Sequence, residues 1–178
     1  MKSRNIGILG SAFNPPTLGH LDLIRQAVNE LDWVYLVPSF AHAFGKQMAD
    51  YQLRADMVRA FIADHKLERV SLLLCEHELA GNGPVYTYDV LNWLECQYAY
   101  DSLHFIIGPD NAKNWSKFHK AKQIQKRWSV FIGKERQAIR STYIRQAVSI
   151  GEPISSMTST SVAELIKQHK LYQEETAA

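Results

Sequence analysis

Cysteine is scarce in this 178-residue chain, with two residues in all. Cys75 and Cys96 lack CxxC spacing, and Cys75 sits in a continuous apolar run where a small buried hydrophobe is the ordinary role. No disulfide and no protein-held metal site are expected. Long apolar runs are missing as well. No stretch approaches the roughly 20 apolar residues of a membrane span, and Met1-Lys2-Ser3-Arg4 leads into an apolar run too short for a secretion signal. A cytoplasmic protein without membrane contact is the expectation. Charge of one sign is not in excess either. Lys and Arg number 20 against 18 Asp and Glu, a net +2, and outside Lys113–Lys126 the cations are scattered. Nucleic acid is therefore not expected as a partner. Repeats, low-complexity tracts and interdomain linkers are absent, so residues 1–178 are expected to form a single domain, and a homo-oligomer is left open.

What is present is an alternation. Short apolar runs at Ile6–Leu9, Trp33–Pro38, Val70–Leu74, Leu103–Ile107 and Val130–Ile132 read as strands, with amphipathic stretches between most of them. Gly19–Leu31 places Leu21, Ile24, Val28 and Leu31 on one face, and Leu53–Ala63 does the same with Leu53, Met57, Val58 and Phe61. This pattern predicts an α/β fold: a Rossmann-like, doubly wound parallel sheet of about five strands. Thr87 is the expected cap of a helix that carries Asp89 in its first turn and ends near Tyr98. Two C-terminal helices follow, Ser141–Val148 and one opened by a capping box at Ser161–Glu164, and the Gln173–Ala178 tail is expected to fray.

In such a sheet, ligands gather at the carboxyl ends of the strands, where loops meet helix N-termini whose free N–H groups favour phosphate. The first such loop is Gly10-Ser-Ala-Phe-Asn-Pro-Pro-Thr-Leu-Gly-His20. Gly10 lets backbone approach a ligand, Pro15 and Pro16 stiffen the turn, and Gly19 leaves room for a phosphate at the helix opening. Thr17 and His20 direct donors to the same place. The spacing fits neither the GxxxxGK[ST] loop nor the GxGxxG fingerprint. Taken alone, His20 could be a histidine with only a structural hydrogen bond, and Ser141, Thr142 and Arg145 a cap and a solvated charge.

Thr17-Leu-Gly-His20, after the turn at Ser11–Pro15, resembles the [HT]xGH signature of the nucleotidylyltransferase superfamily. Ile139–Arg145 resembles that superfamily's ISSTxxR motif, with Arg140 standing where a serine is usual. Tyr86–Leu91 resembles the SYTxDTL element of nicotinate mononucleotide adenylyltransferases, Ile106–Asp110 their IIGxD strand end, and Val162–Tyr172 their closing helix and LY ending. The resemblance covers nearly the whole chain in order. It implies transfer of the adenylyl group of ATP to nicotinate or nicotinamide mononucleotide in NAD biosynthesis, with magnesium as cofactor held through the phosphates. His20, Thr17 and Arg145 would then be catalytic. Gly10, Ser11, Phe13, Gly19, Gly108, Asp110, Ser141 and Thr142 would meet ATP, and Asn14, Lys46, Tyr86, Thr87 and Phe118 the acceptor. Phe118 would take the place of a tryptophan that stacks on the pyridine ring, and the loop Ser39–Asp50, with His42, Gly45 and Lys46, fits either a basic lid over the phosphates or a solvated surface loop.

Two departures stand out. Arg140 replaces the first serine of its motif, and the link from Ile132 through Gly133 and Lys134 to Ile139 is short, so a strand usual in such enzymes is expected to be missing. Two alternatives remain at this point. Thr17–Ile24 is also similar to phosphopantetheine adenylyltransferases, and a nucleotide-binding regulator without turnover would share the fold.

Overall fold

The computed structural model describes residues 2–41, 48–99 and 101–173. Five strands form one parallel sheet: β1 (Asn5–Ser11), β2 (Trp33–Pro38), β3 (Val70–Leu72), β4 (Ser102–Ile107) and β5 (Ser129–Ile132), in the order β3-β2-β1-β4-β5. The centre of the sheet is covered on both faces, which is why its strands read as unbroken apolar runs rather than alternating ones. Along β1, Ile6 and Ile8 face one side and Leu9 the other. Along β4, Ile106 joins Leu9 while Leu103, Phe105 and Ile107 join Ile6 and Ile8.

Helices α1 (Leu18–Val28) and α2 (Tyr51–Asp64) bury Leu21, Ile24, Met57, Val58 and Phe61 against the first face, together with Ile144 of α7 (Ser141–Ser149) and Val162 and Ile166 of α8 (Thr160–Gln168). Of the remaining helices, α3 (Glu76–Leu79), α4 (Thr87–Gln97), α5 (Pro109–Lys113) and α6 (Ala121–Arg127), α4 and α6 cover the opposite face with Val90, Leu91, Leu94 and Ile124. At Gly7 an added Cβ would lie 2.6 Å from Ile106 Cδ1 and 2.7 Å from Leu31 Cδ1, so the central strand is glycine there because its neighbours fill the space.

The chain runs outward from β1 through β2 to β3, then returns to β4 on the other side of β1. The crevice at the carboxyl ends of β1 and β4 is thus the topological switch point, where a doubly wound sheet offers its ligand site.

Three local expectations change. Tyr86, not Thr87, is the N-cap of α4, and its N–H donates to Asp89 Oδ2 at 3.4 Å. The final helix starts one residue before Ser161. Ser161 lies in its first turn, and its N–H and hydroxyl both donate to Asp64 at the end of α2, at 2.8 and 2.6 Å, so the expected capping box is instead a tie between helices. The third strand stops at Leu72, two residues early. After β5 no sixth strand forms among the described residues: residues 133–140 cross as a strap toward α7, with Lys134 held through its N–H (2.9 Å) and carbonyl (2.8 Å) by the Gln26 amide of α1.

Candidate active site

A cavity of about 320 Å³ opens at the switch point. Its walls are the end of β1 (Gly10, Ser11), the start of α1 (Thr17, Gly19, His20, Asp22), the end of β4 and start of α5 (Gly108, Asp110, Asn111), the strap (Lys134 to Arg140) and Ser141 at the opening of α7. Two helix N-termini, of α1 and of α7, therefore meet one space with their positive dipole ends, although at α1 the opening N–H groups are already taken, Leu18 by the Met157 carbonyl and Gly19 and His20 by Thr17 Oγ1.

His20 is fixed at both ring nitrogens. Nδ1 accepts the Thr17 N–H at 3.0 Å, so the proton of the neutral ring sits on Nε2, 3.1 Å from Ser11 Oγ. The Phe13 ring, buried with φ +47, backs the imidazole at a centroid distance of 4.9 Å. Burial pushes the His20 pKa down to about 4, and protonating Nδ1 would also cost the Thr17 bond. The side chain is a neutral Nε2–H donor at neutral pH.

Thr17 is the cap that sets this geometry. Its Oγ1 accepts from Gly19 N (3.1 Å) and His20 N (3.3 Å) and donates to the Ile139 carbonyl at 3.0 Å. A Cβ on Gly19 would collide with that same carbonyl and lie 3.2 Å from the Gln137 carbonyl. Gly19 is thus glycine because the strap presses on the helix opening, and not only to admit a phosphate.

The loop between β1 and α1 is held from behind by its carbonyls. Ala12 O accepts from Arg54 of α2 at 2.8 Å, Asn14 O from Arg145 at 2.9 Å, Pro15 O from Ser141 at 2.7 Å and Pro16 O from Thr158 at 2.8 Å. Asn14 Oδ1 accepts from Ala49 N (3.1 Å) and the Tyr172 hydroxyl (2.7 Å). Asn14 and Phe13 are buried. They support the loop, and neither lines the cavity.

Of the other residues expected at the site, Gly10, Ser11, Thr17, Gly19, His20, Gly108, Asp110 and Ser141 all meet at the cavity. Arg145 points at the loop carbonyl, with its second arm 3.3 Å from Thr142 Oγ1. Tyr86, Thr87 and Phe118 do not line this cavity: Phe118 packs on Trp115 and Phe105, and half-exposed Tyr86 stacks on His119 at 4.3 Å. Lys46, His42 and Gly45 lie outside the described residues.

The unusual Arg140 spans the cavity mouth, 2.7 Å from Asp110 and 2.9 Å from Glu135. Asp22, facing the same space, pairs with Arg136 of the strap at 2.7 Å. Sequence reasoning missed both contacts, because they join residues brought together only by the strap. Among the described residues no cluster of three metal-ligating side chains occurs. The three cavity carboxylates, Asp22, Asp110 and Glu135, each pair with an arginine of the strap, which fits a cation held chiefly by a ligand's own oxygens, as magnesium is held beside phosphates.

A family profile for cytidylyltransferase-like proteins matches residues 8–147, the span from β1 to α7. A protein of Lactiplantibacillus plantarum named as a probable nicotinate-nucleotide adenylyltransferase is 30% identical, with 96% of this chain and 89% of that one covered. A solved structure from Vibrio parahaemolyticus, assigned by its name to the same enzyme group, is 39% identical and superposes with a TM-score of 0.85 over 98% of this chain and 97% of that one. The Plasmodium falciparum nicotinic acid mononucleotide adenylyltransferase complexed with NaAD, at 16% identity, shares the fold with a TM-score of 0.75 over 95% of this chain and 97% of its own. With the switch-point cavity, the capped His20 and these relatives together, the chain belongs to the cytidylyltransferase-like family, among the nicotinate-nucleotide adenylyltransferases.

Proposed function

We propose that this protein transfers the adenylyl group of ATP to nicotinate mononucleotide, giving the dinucleotide and pyrophosphate, the reaction named for its relatives. The observation that carries the reading is the His20 imidazole in the cavity wall, its Nε2 3.1 Å from Ser11 Oγ, between two helix N-termini.

An oxygen of the acceptor's phosphate attacks the α-phosphorus of ATP. A P–O bond forms there as the bond to the β-phosphate bridge breaks, and the electron pair leaves on pyrophosphate. No covalent intermediate on the protein is needed, so positioning and stabilisation of developing charge supply the rate. His20 Nε2–H, the positive end of α1, and the N–H groups at the opening of α7 around Ser141 would hold the triphosphate. Gly10, Ser11, Gly19, Gly108, Asp110 and Thr142 would line its path. Arg145 would act through the loop it holds. Magnesium, bound through the phosphates with Asp22 or Asp110 nearby, would lower the cost of charge build-up on the leaving group. Tyr86, Thr87 and Phe118 would take the acceptor's ring side, with Phe118 stacking on the pyridine, and Lys46 would serve the acceptor's phosphate. No helix among the described residues is long and apolar enough to cross a membrane.

The test supplies ATP and magnesium with nicotinate mononucleotide, nicotinamide mononucleotide or phosphopantetheine in separate reactions and follows pyrophosphate. Release with nicotinate mononucleotide in preference to the other two is expected. Release with phosphopantetheine alone would transfer the chain to the other adenylyltransferase group, and ATP binding without release from any acceptor would make it a regulator.

A further inference from the structure

Arg54 is the one buried cation among the described residues, 1% exposed at the end of the first turn of α2. Such a charge ordinarily requires an anion or a full set of acceptors. Arg54 has the second. Its Nε donates to Ala49 O at 2.8 Å, its Nη1 to both Ala12 O (2.8 Å) and Ser39 O (2.7 Å), and its Nη2 reaches Phe40 O at 3.4 Å. The buried Glu76 carboxylate completes the arrangement by accepting the Phe40 N–H at 2.9 Å, and the Ser39 N–H donates to Ser11 O at 3.0 Å. The Tyr51 ring lies 5.6 Å from the guanidinium carbon.

These four carbonyls come from three separate places: the loop after β1, the end of β2 and the approach to α2. A planar fork with donors in three directions can hold all of them at once, and a single ammonium cannot. Ala12 adjoins Ser11, whose hydroxyl sits 3.1 Å from His20 Nε2. Displacing the Ala12 carbonyl therefore moves the hydroxyl that faces the donor atom of the site.

We propose that Arg54 is a positioning residue for adenylyl transfer, a buried cation that never meets the nucleotide but fixes the loop carrying Ser11 and His20 against the ends of β2 and of the approach to α2. This rests on the function proposed above for the cavity. Stability alone would be a different role, and the two separate experimentally.

The variants are Arg54→Lys, Arg54→Ala with and without added guanidinium, and Val58→Ala as a control. Val58 is fully buried one turn along the same helix face and makes no tie to the loop. For each folded variant, kcat and KM for ATP are measured, along with ATP affinity by calorimetry and the His20 ring nitrogen shifts by NMR. In Arg54→Lys, the KM for ATP should rise at least about tenfold and kcat should fall at least about thirtyfold. The single Nε2–H tautomer of His20 should become mixed. Millimolar guanidinium should restore a measurable part of the Arg54→Ala turnover, and Val58→Ala should lose melting temperature while keeping kcat and KM within about twofold. Wild-type ATP affinity, tautomer and kcat in Arg54→Lys would overturn the proposal, as would equal losses of kcat in Val58→Ala. If the wild type turns over no acceptor, the assigned reaction fails, while the His20 shifts still decide the role of Arg54.

Discussion

At the scale of single residues, the chemistry converges on one proton. Nδ1 of His20 is occupied by a backbone donor, so the ring offers Nε2–H and works as a neutral donor, not as an imidazolium. Replacement by Ala should lower kcat by about two to four orders of magnitude with the fold intact, measured as pyrophosphate release and circular dichroism. The pH profile of kcat/KM for ATP carries a second expectation. With the free-enzyme pKa near 4, no loss of activity from His20 protonation should occur between pH 8 and pH 5. An acid limb at the ordinary histidine value of 6.5 that vanished in the His20 variant would contradict this assignment of the proton.

At the scale of elements, the site is a junction between α1 and the strap. Gly19 has no space for a side chain because the Ile139 and Gln137 carbonyls lie against it. In Gly19→Ala the obstacle is backbone, which cannot rotate away as a side-chain end can, so overpacking should cost about 1–3 kcal/mol. The strap also walls the cavity, so the KM for ATP should rise together with the fall in denaturation midpoint. A variant that loses stability while its KM stays at the wild-type value would show that the strap moves without reaching the nucleotide. The Gly7→Ala contrast is instructive: there the clashing atoms are the Cδ1 ends of Ile106 and Leu31, side-chain ends that can shift where a carbonyl cannot, so the KM for ATP should change less than in Gly19→Ala.

At the scale of the whole molecule, two titratable groups, Glu76 and His20, pull stability against pH in opposite directions. Burial raises the Glu76 pKa to about 7, against which the Phe40 N–H and the Arg54 charge act only partly. The folded state then takes up a proton that the unfolded chain, titrating near 4.5, does not hold. The Glu76 contribution is present in full below about pH 4.5 and is lost as pH rises through 7. His20 has the reverse sign: its contribution is present above 6.5 and is lost as pH falls toward 4. In Glu76→Gln the side chain stays neutral at all pH and keeps an oxygen for Phe40. Its melting temperature relative to the wild type should therefore climb steadily from pH 4.5 to pH 8 in thermal melts. A difference that stays constant with pH would mean that the Glu76 carboxyl titrates normally.

The sequence shows the sheet more clearly than it shows the site. Ile6–Leu9 and Leu103–Ile107 announce buried parallel strands because both faces are covered and, His104 apart, neither run carries a polar side chain. Thr17 and His20 are legible because capping and phosphate binding are local to one helix opening. Arg54 shares the i, i+3, i+4, i+7 stripe with Met57, Val58 and Phe61, yet a charge in that position reads as exposed until its carbonyl acceptors are assembled. The same holds for Asp110 and Arg140, thirty positions apart and without any local signal of their pairing.

The carbonyl ties have a consequence for how the molecule comes into being. Pro16 is held by Thr158, 142 positions away, Asn14 by Arg145 and Tyr172, and Pro15 by Ser141. During synthesis, the loop waits for partners made more than a hundred residues later, and contacts of such long sequence separation close late in folding. The nascent chain can assemble its central strands while its catalytic loop is still unheld, so competence for nucleotide waits for the segment from Ser141 to Tyr172.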